Sequence, residues 1–367
     1  MQGKLKFYFL IVSLLRYLSQ FVGIKIKKKI LIECNELFHY HHIKPVVDIL
    51  VKDNCSKLFF LNVMGIDRSN LPEAFMNGIK IIDLQQAKFI KFDMTLSLDF
   101  NCPWIPHRGI YIFVPHGDGM KSNYSGNEKL RQYDHIFASG GRQKSLQMPF
   151  LSPGSSIVEI GFIINDQLQN NIEPATNMIK FEKKLPIVLY APSWSTNPDM
   201  IMMNESILKA LSNQDYFNVV FKPHPLLFHP DRCGGKNWNN FFAGLEKKHF
   251  VMIKESNYPI QTFMKIADVI VSDISSVIFE YLYLDRPIVL HKDEKVLEYY
   301  KGNDSFGDIS KASFHFNSEI DMVDIINQAL EQPDFHSELR KEILNSNYYN
   351  IGNATQAAIK MIYECLH

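Results

Sequence analysis

Short apolar runs of strand length alternate along this chain with helix-length segments, a pattern that predicts parallel sheets with crossover helices. In the first half, residues 29–34, 57–63, 79–82, 92–98, 109–115 and 135–138 read as strands, with helices such as 45–51 between them. A polar stretch, residues 165–184, is poor in β-branched and aromatic side chains and reads as a linker. The alternation then resumes, with strands at 187–190, 218–221, 250–253, 269–271 and 288–290 and helices at 205–211, 241–246, 260–266 and 275–284. Three helices, 319–330, 336–344 and 354–365, close the chain. The expected organisation is therefore an α/β domain over 28–166, a second over 185–349, and a closing segment, 350–367, that returns to the first. Two doubly wound domains facing a cleft would bind ligands at the carboxyl ends of their strands, so the informative motifs are those that directly follow strands.

The amino-terminal segment, 1–27, has a different pattern. Residues 7–15 are apolar, but Arg16 and Gln20 interrupt the run before 21–24, so it falls short of the roughly 18 to 20 residues a spanning helix needs. No small-x-small cleavage site follows, which argues against a signal peptide. An amphipathic helix lying in a membrane surface fits better: Phe7, Phe9, Leu10, Leu14, Leu18 and Phe21 can be buried while Lys4, Lys6, Arg16, Lys25, Lys27, Lys28 and Lys29 meet anionic head groups. The expectation is a cytoplasmic protein, peripheral on the inner face of the cell membrane.

Composition sets bounds on this picture. The chain has 367 residues, 46% of them hydrophobic, enough for two domains with sizeable cores. Its 39 basic side chains are balanced by 39 acidic ones, which argues against general nucleic-acid binding. Cys34, Cys55, Cys102, Cys233 and Cys365 lie far apart with no C-x-x-C pair and read as reduced residues that mostly fill core. His39, His41 and His42 invite a metal reading, but no H-E-x-x-H pattern or nearby carboxylate pair completes it, so they read as a solvated helix entry. There is no D-x-D, no G-x-x-x-x-G-K-[ST] and no G-x-G-x-x-G, so neither a metal site nor a cofactor is expected.

Four motifs follow strands. Pro115-His116-Gly117-Asp118-Gly119 offers His116 as a general base, with Gly117 allowing close backbone approach and Asp118 either orienting the ring or capping a helix. Tyr190-Ala191-Pro192-Ser193-Trp194-Ser195 is a proline-fixed turn whose hydroxyls and N–H groups could meet phosphate. In Lys222-Pro223-His224-Pro225 two prolines hold a cation and an imidazole with little entropy left to lose, which suits an anionic leaving group. Ser272-Asp273-Ile274-Ser275-Ser276-Val277 leads into a helix, where Ser275 and Ser276 can accept an anion and Asp273 or Ser275 can equally serve as an ordinary cap. Glu280, one turn on, can reach a ribose hydroxyl, and Arg286 either contacts phosphate or pairs with Asp285.

Taken in order, His116-Gly117, Tyr190-Ala191-Pro192-x-Trp194, Lys222-Pro223-His224-Pro225, Ser272-Asp273-x-Ser275-Ser276-Val277 and Asp285-Arg286-Pro287 resemble the CDP-glycerol glycerophosphotransferase family of teichoic-acid and capsule synthesis. Ile160-Gly161-Phe162 with Asn165-Asp166, and Asn350-x-Gly352-Asn353-Ala354, are similar to further signatures of that family, so the likeness runs over residues 109–358. The resemblance implies a GT-B-type fold and transfer of a polyol phosphate from a CDP-linked donor, CDP-glycerol or CDP-ribitol, to an acceptor hydroxyl with release of CMP. By the same resemblance His116 is the base, His224 with Ser275 and Ser276 holds the pyrophosphate, and Glu280 touches the cytidine ribose. Lys222, Ser272, Ser193 and Trp194 complete the donor side, with Gly117, Asp118 and Arg286 in support. The family's usual Asp is Glu280 here, and Ser195 stands where a basic residue often follows the Trp. The acceptor is a saccharide or polyol phosphate, lipid-linked forms included. Two other readings remain open to the sequence: a GT-B glycosyltransferase or sugar-nucleotide epimerase using a UDP- or CMP-sugar, and a non-catalytic membrane-peripheral subunit.

Overall fold

A computed structural model describes residues 27–35, 37–62, 77–100, 102–117, 126–169, 179–194, 203–229, 231, 235, 237–242, 244–245, 247–254, 258–273, 275–292 and 304–367. The amino-terminal amphipathic helix, Asp118 and Ser195 lie outside the described residues. The chain divides into two compact units, one drawn from residues 1–116, 123–164 and 353–367, the other from 117–122 and 165–352.

The first unit is built on a seven-stranded sheet. Its strands are β1 (Lys28–Cys34), β2 (Ser56–Asn62), β3 (Ile79–Ile82), β4 (Met94–Ser97), β5 (Ile110–Phe113), β6 (His135–Ala138) and β7 (Ser156–Glu159). They run in the order β3-β2-β1-β4-β5-β6-β7, and every pairing is parallel, Ile30 standing opposite Leu58 on one side and Met94 on the other. Ile30 to Cys34 are all buried because a central parallel strand is covered on both faces. Ile30, Ile32, Phe60, Met94 and Leu96 pack under the helix Lys44–Asp53, while Leu31, Phe59, Leu61 and Ile82 pack on the other face with Ala87 of the short helix Leu84–Lys88.

The last helix of the chain, Ala354–Leu366, joins the same core through Ala354, Ala358, Ile359, Ile362 and Leu366, one apolar stripe of a helix. Its Tyr363 hydroxyl donates to Asp53 at 2.6 Å. At the entry to β5, Gly109 has φ +68°, and a Cβ there would lie 2.1 Å from the Asp93 carbonyl oxygen, so only glycine lets the chain turn into the sheet at this point. The β7 strand was not legible in the sequence, because it is an edge strand whose residues are half-buried or exposed and carry no buried apolar pattern.

The second unit holds a six-stranded parallel sheet in the order β10-β9-β8-β11-β12-β13. Its strands are β8 (Ile187–Tyr190), β9 (Asn218–Phe221), β10 (Phe250–Met252), β11 (Val269–Ser272), β12 (Ile288–His291) and β13 (Phe314–Phe316). Val188, Val219, Phe221, Val269 and Val271 meet the buried stripes of the helices Glu205–Asn213 and Glu319–Glu331. Both sheets thus follow the doubly wound order in which the first and fourth strands are neighbours and the chain reverses between them. The expected linker needs one correction. Its first residues, Asn165 and Asp166, are buried, and Asp166–Gln169 form a helical turn, because their polar groups are drawn into the second unit. Among the described residues no helix is long and apolar enough to cross a membrane.

Candidate active site

In the first unit the polar side chains gather beyond the carboxyl ends of β1, β4 and β5. Past β1 the chain turns at Asn35 into the 3-10 helix Leu37–His42; past β4 comes Asp99, and past β5 comes His116. Asp99 Oδ2 accepts the Asn35 N–H at 2.8 Å and lies 2.8 Å from Nδ1 of His39. These contacts hold the Asp99 carboxyl below the usual carboxylate range, although burial works the other way. His39 lies face to face with His116, the ring centroids 3.5 Å apart and the planes 15° from parallel.

The tautomer of His116 follows from its neighbours. Its Nδ1 lies 2.6 Å from the Leu98 carbonyl oxygen, which can only accept, so Nδ1 carries the proton and the lone pair is on Nε2. Desolvation, with His39 adding to it, lowers the ring's pKa to about 4, against the opposing pull of Asp99 and the Leu98 carbonyl. At neutral pH the ring is therefore a neutral imidazole with Nε2 as its basic atom. A Cβ placed on the adjoining Gly117 would meet nothing within 4 Å, so packing does not demand glycine there.

The reading of His39, His41 and His42 as a solvated helix entry fails at His39 and His42, while His41 is half-buried. His39 is buried, and burial pushes the pKa of His42 well below its ordinary value. Sequence reasoning missed Asp99 because its Asn35 and His39 partners are 60 or more positions away, and the only local signal was an acidic residue just past a strand. His39, Asp99 and His116 each bring a ligand-type atom within 4.8 Å of the others. The two rings are nearly parallel, however, so their in-plane lone pairs do not converge on one point as a metal ion requires. The cluster is organised by hydrogen bonds.

In the second unit the corresponding place lies beyond β8, β9 and β11. Asp273, buried just past β11, accepts the Ser193 N–H through both oxygens at 3.0 and 2.9 Å and the Ser193 hydroxyl at 2.9 Å. The Ser272 hydroxyl donates to the Ala191 carbonyl at 2.5 Å. Ser193 and Ser272 thus spend their hydroxyl protons bracing the turn after β8, which carries Trp194 outward. Trp194 stacks on His224 with centroids 5.2 Å apart.

His224 caps the 3-10 helix Pro225–Phe228, its Nδ1 accepting the Leu226 N–H at 3.2 Å. The proton is therefore on Nε2, and that atom is a donor. His116 and His224 are thus neutral in opposite tautomers, one presenting a lone pair on Nε2 and the other an N–H. Lys222 is buried along its stem, with Nζ 6.0 Å above the Phe263 ring.

Ser275 and Ser276 are half-buried at the start of the short helix Val277–Tyr281, and their hydroxyls make no hydrogen bond among the described residues. Glu280 on that helix is buried, its Oε2 accepting from Gln261 at 2.5 Å while its carbonyl faces the Asn165 amide at 3.4 Å. Arg286 does not pair with Asp285. Its guanidinium donates to the carbonyls of Lys265 and Ala267 at 2.9 and 2.6 Å, where it closes the end of the helix Ile260–Met264, and Asp285 pairs instead with Arg340 at 3.0 Å. Left-handed backbone at Asp285, φ +48°, turns its carboxylate toward the helix Ser337–Asn347.

Comparison with known proteins shows the family and the fold. The family model described as CDP-glycerol:poly(glycerophosphate) glycerophosphotransferase matches residues 116–364. A teichoic acid poly(glycerol phosphate) polymerase from Bacillus spizizenii is 26% identical over 292 residues, covering 69% of this chain and 70% of that protein. Among solved structures, the wall teichoic acid polymerase TagF superposes with a TM-score of 0.68 at 16% identity, covering 100% of this chain and 98% of that one. A UDP-GlcNAc 2-epimerase from Neisseria meningitidis superposes with a TM-score of 0.59 at 15% identity, covering 92% and 100%. At these identities the structural likenesses establish the two-domain Rossmann-like fold and nothing finer.

Proposed function

Because the chain belongs to the CDP-glycerol:poly(glycerophosphate) glycerophosphotransferase family, we propose that it transfers glycerol phosphate from CDP-glycerol to a hydroxyl of a polyol-phosphate or saccharide acceptor and releases CMP. The observation that carries this reading is the pair of complementary histidine tautomers. Transfer of this kind asks for one group that removes a proton and one that donates to oxygens gaining negative charge.

In this reading Nε2 of His116 takes the proton of the acceptor hydroxyl. The Nε2–H of His224 donates to the pyrophosphate of the donor and stabilises the CMP that leaves. Lys222 adds positive charge beside it, and the hydroxyls of Ser275 and Ser276 complete the phosphate contacts. Trp194 fixes the plane of His224, Ser193 and Ser272 hold the turn that carries Trp194, and Glu280 contacts the ribose. Gly117 leaves room beside the base. Phosphoryl transfer is chiefly positioning and charge stabilisation, so these groups suffice in kind.

TagF supports the donor, since a variant of that polymerase was soaked with CDPG. The basic and apolar composition of residues 1–27 supports a place on the inner surface of the cell membrane, where a lipid-linked acceptor would be met.

Incubating the purified chain with CDP-glycerol, CDP-ribitol, UDP-N-acetylglucosamine and CMP-sugars, each with a polyol-phosphate acceptor, tests the reading. CMP release from CDP-glycerol, lost in both His116→Ala and His224→Ala, is expected. UDP release, or turnover near wild type in both variants, would overturn it. Flotation with anionic vesicles at low and high salt tests the membrane placement, and a chain that stays unbound at low salt ends that part.

A further inference from the structure

Asp99 is held on several sides. Its Oδ2 faces the Asn35 amide and His39, as described above, and its main-chain carbonyl accepts the hydroxyls of Ser97 at 2.9 Å and Tyr133 at 3.1 Å. Those hydroxyls belong to a buried network in which Tyr111 donates to Glu33 at 2.6 Å, and burial raises the Glu33 pKa. With both its backbone and its carboxylate pinned, Asp99 cannot turn away without breaking charge-assisted hydrogen bonds. Its other oxygen, Oδ1, lies 3.8 Å from Nδ1 of His116.

We propose that Asp99 and His39 are positioning residues for the reaction: Asp99 offsets the positive charge that His116 acquires on taking the acceptor proton, and His39 fixes both the carboxylate and the plane of the His116 ring. The inference rests on the reading of His116 as the base. As the acceptor O–H bond breaks, its proton moves to Nε2 of His116. The freed electron pair forms the new O–P bond, and the P–O bond to CMP breaks with its electrons leaving on CMP. The imidazolium later returns its proton to solvent.

Between these events a cation occupies a site that burial makes hostile to charge. Among the described residues the ionisable groups facing it are His39 and His42 on the 3-10 helix Leu37–His42 and Asp99 on the loop past β4, and of these Asp99 carries the negative charge. The Leu98 carbonyl orients the ring but carries no net charge, and Asp99 supplies the missing charge.

Oδ1 of Asp99 is 3.8 Å from the ring nitrogen, beyond a hydrogen bond, so its effect is electrostatic, while stacking by His39 sets the angle.

The test is the dependence of kcat, KM and kcat/KM on pH for CDP-glycerol with the full chain and three variants, with folding followed by thermal melts. Asp99→Asn keeps the shape and the acceptor atom for Asn35 but removes the charge. It is expected to lower kcat by about 10- to 100-fold, with KM changed less than about twofold and the acid limb moved to lower pH. His39→Gln keeps a donor for Asp99 but removes the stacked ring. It is expected to lower kcat by less and to move the limb the opposite way, since His39 is one of the influences that lower the proton affinity of His116.

A purely structural role would lower activity in both variants without moving either limb, and that result would overturn the proposal. So would wild-type kcat and limb in Asp99→Asn while His116→Ala is inactive. Activity retained by His116→Ala would instead sink the base reading on which the proposal stands. Should Asp99→Asn fail to melt cooperatively, His39→Gln, which leaves Asp99 and its Asn35 bond in place, decides the matter by whether its limb moves.

Discussion

Asp99 and Asp273 hold the same place in their two sheets. Each lies just past the fourth strand of the doubly wound order, and each accepts a main-chain N–H from beyond the first strand, Asn35 in one unit and Ser193 in the other. The first and fourth strands are neighbours whose connections depart in opposite directions, so the ladder ends there and leaves main-chain donors without strand partners. A carboxylate at the end of the fourth strand satisfies them, and it also sets the posture of the chain that carries the functional side chains.

Asp273→Ala should therefore destabilise the second unit strongly. It removes the acceptor of both the Ser193 N–H and the Ser193 hydroxyl from a buried site, and each buried donor left without a partner costs about 1 to 3 kcal/mol. Ser193→Ala, which keeps the N–H bonds, should cost only about 1 to 2 kcal/mol. Urea unfolding gives both numbers, and equal effects from the two variants would refute the clamp.

Trp194 acts on His224 through ring stacking. Trp194→Ala should raise KM for CDP-glycerol roughly tenfold, corresponding to about 1 to 1.5 kcal/mol for an aromatic pair, while Trp194→Phe should recover most of the loss. Steady-state kinetics under saturating acceptor distinguish the two, and a phenylalanine variant as impaired as the alanine one would argue for a role of the indole other than stacking.

Stability should fall with acid before the carboxylates protonate. His116 and His42 have folded pKa values below the ordinary histidine value of 6.5, so between pH 6.5 and about 4 the unfolded chain binds protons that the folded chain refuses. Stability is then full above pH 6.5 and declines on acidification by at most about 1.4 kcal/mol per pH unit for each such ring. Asp99, whose folded pKa is lowered, adds its own loss only below its ordinary value of 3.8. Thermal melts from pH 7.5 to 4 should show this slope, and His42→Phe should flatten it. A Tm unchanged across that range would contradict the lowered proton affinity of these two rings. Activity through His116 should stay level down to pH 5 and fall toward pH 4 as the ring protonates.

Arg340 has no exposed side-chain surface, and its guanidinium meets Asp285 Oδ1 at 3.0 Å and the carbonyls of Asp285 and Pro333 at 3.1 and 2.8 Å. Arg340→Ala removes a buried charge-assisted hydrogen bond to Asp285 and is expected to cost about 1.5 to 3 kcal/mol, whereas Lys341→Ala, an exposed neighbour of the same carboxylate, should cost under about 1 kcal/mol. Chemical denaturation of both variants checks the contrast.

The alternation of apolar runs and amphipathic segments was enough to place most strands, because the central strands of a parallel sheet must be apolar on both faces. β1, β2, β8, β9 and β11 appear where their side chains said they would, within a residue or two. β7 and β13 escaped, one exposed at an edge and the other three residues long, since neither depends on continuous burial. The motif histidines were equally legible, because Pro115-His116-Gly117 and Lys222-Pro223-His224-Pro225 sit directly after strands.

What the linear chain determined, then, was the kind of sheet, the order of the motifs and the residue types able to move a proton or hold an anion, since each depends on local spacing and side-chain chemistry. Tertiary structure alone decided which nitrogen of each histidine carries the proton, that Asp99 and His39 join His116, and that Arg286 closes a helix instead of pairing with its neighbour Asp285. Those outcomes depend on hydrogen-bond partners brought close by the crossover of strands distant in sequence, and no local pattern encodes a partner 60 residues away.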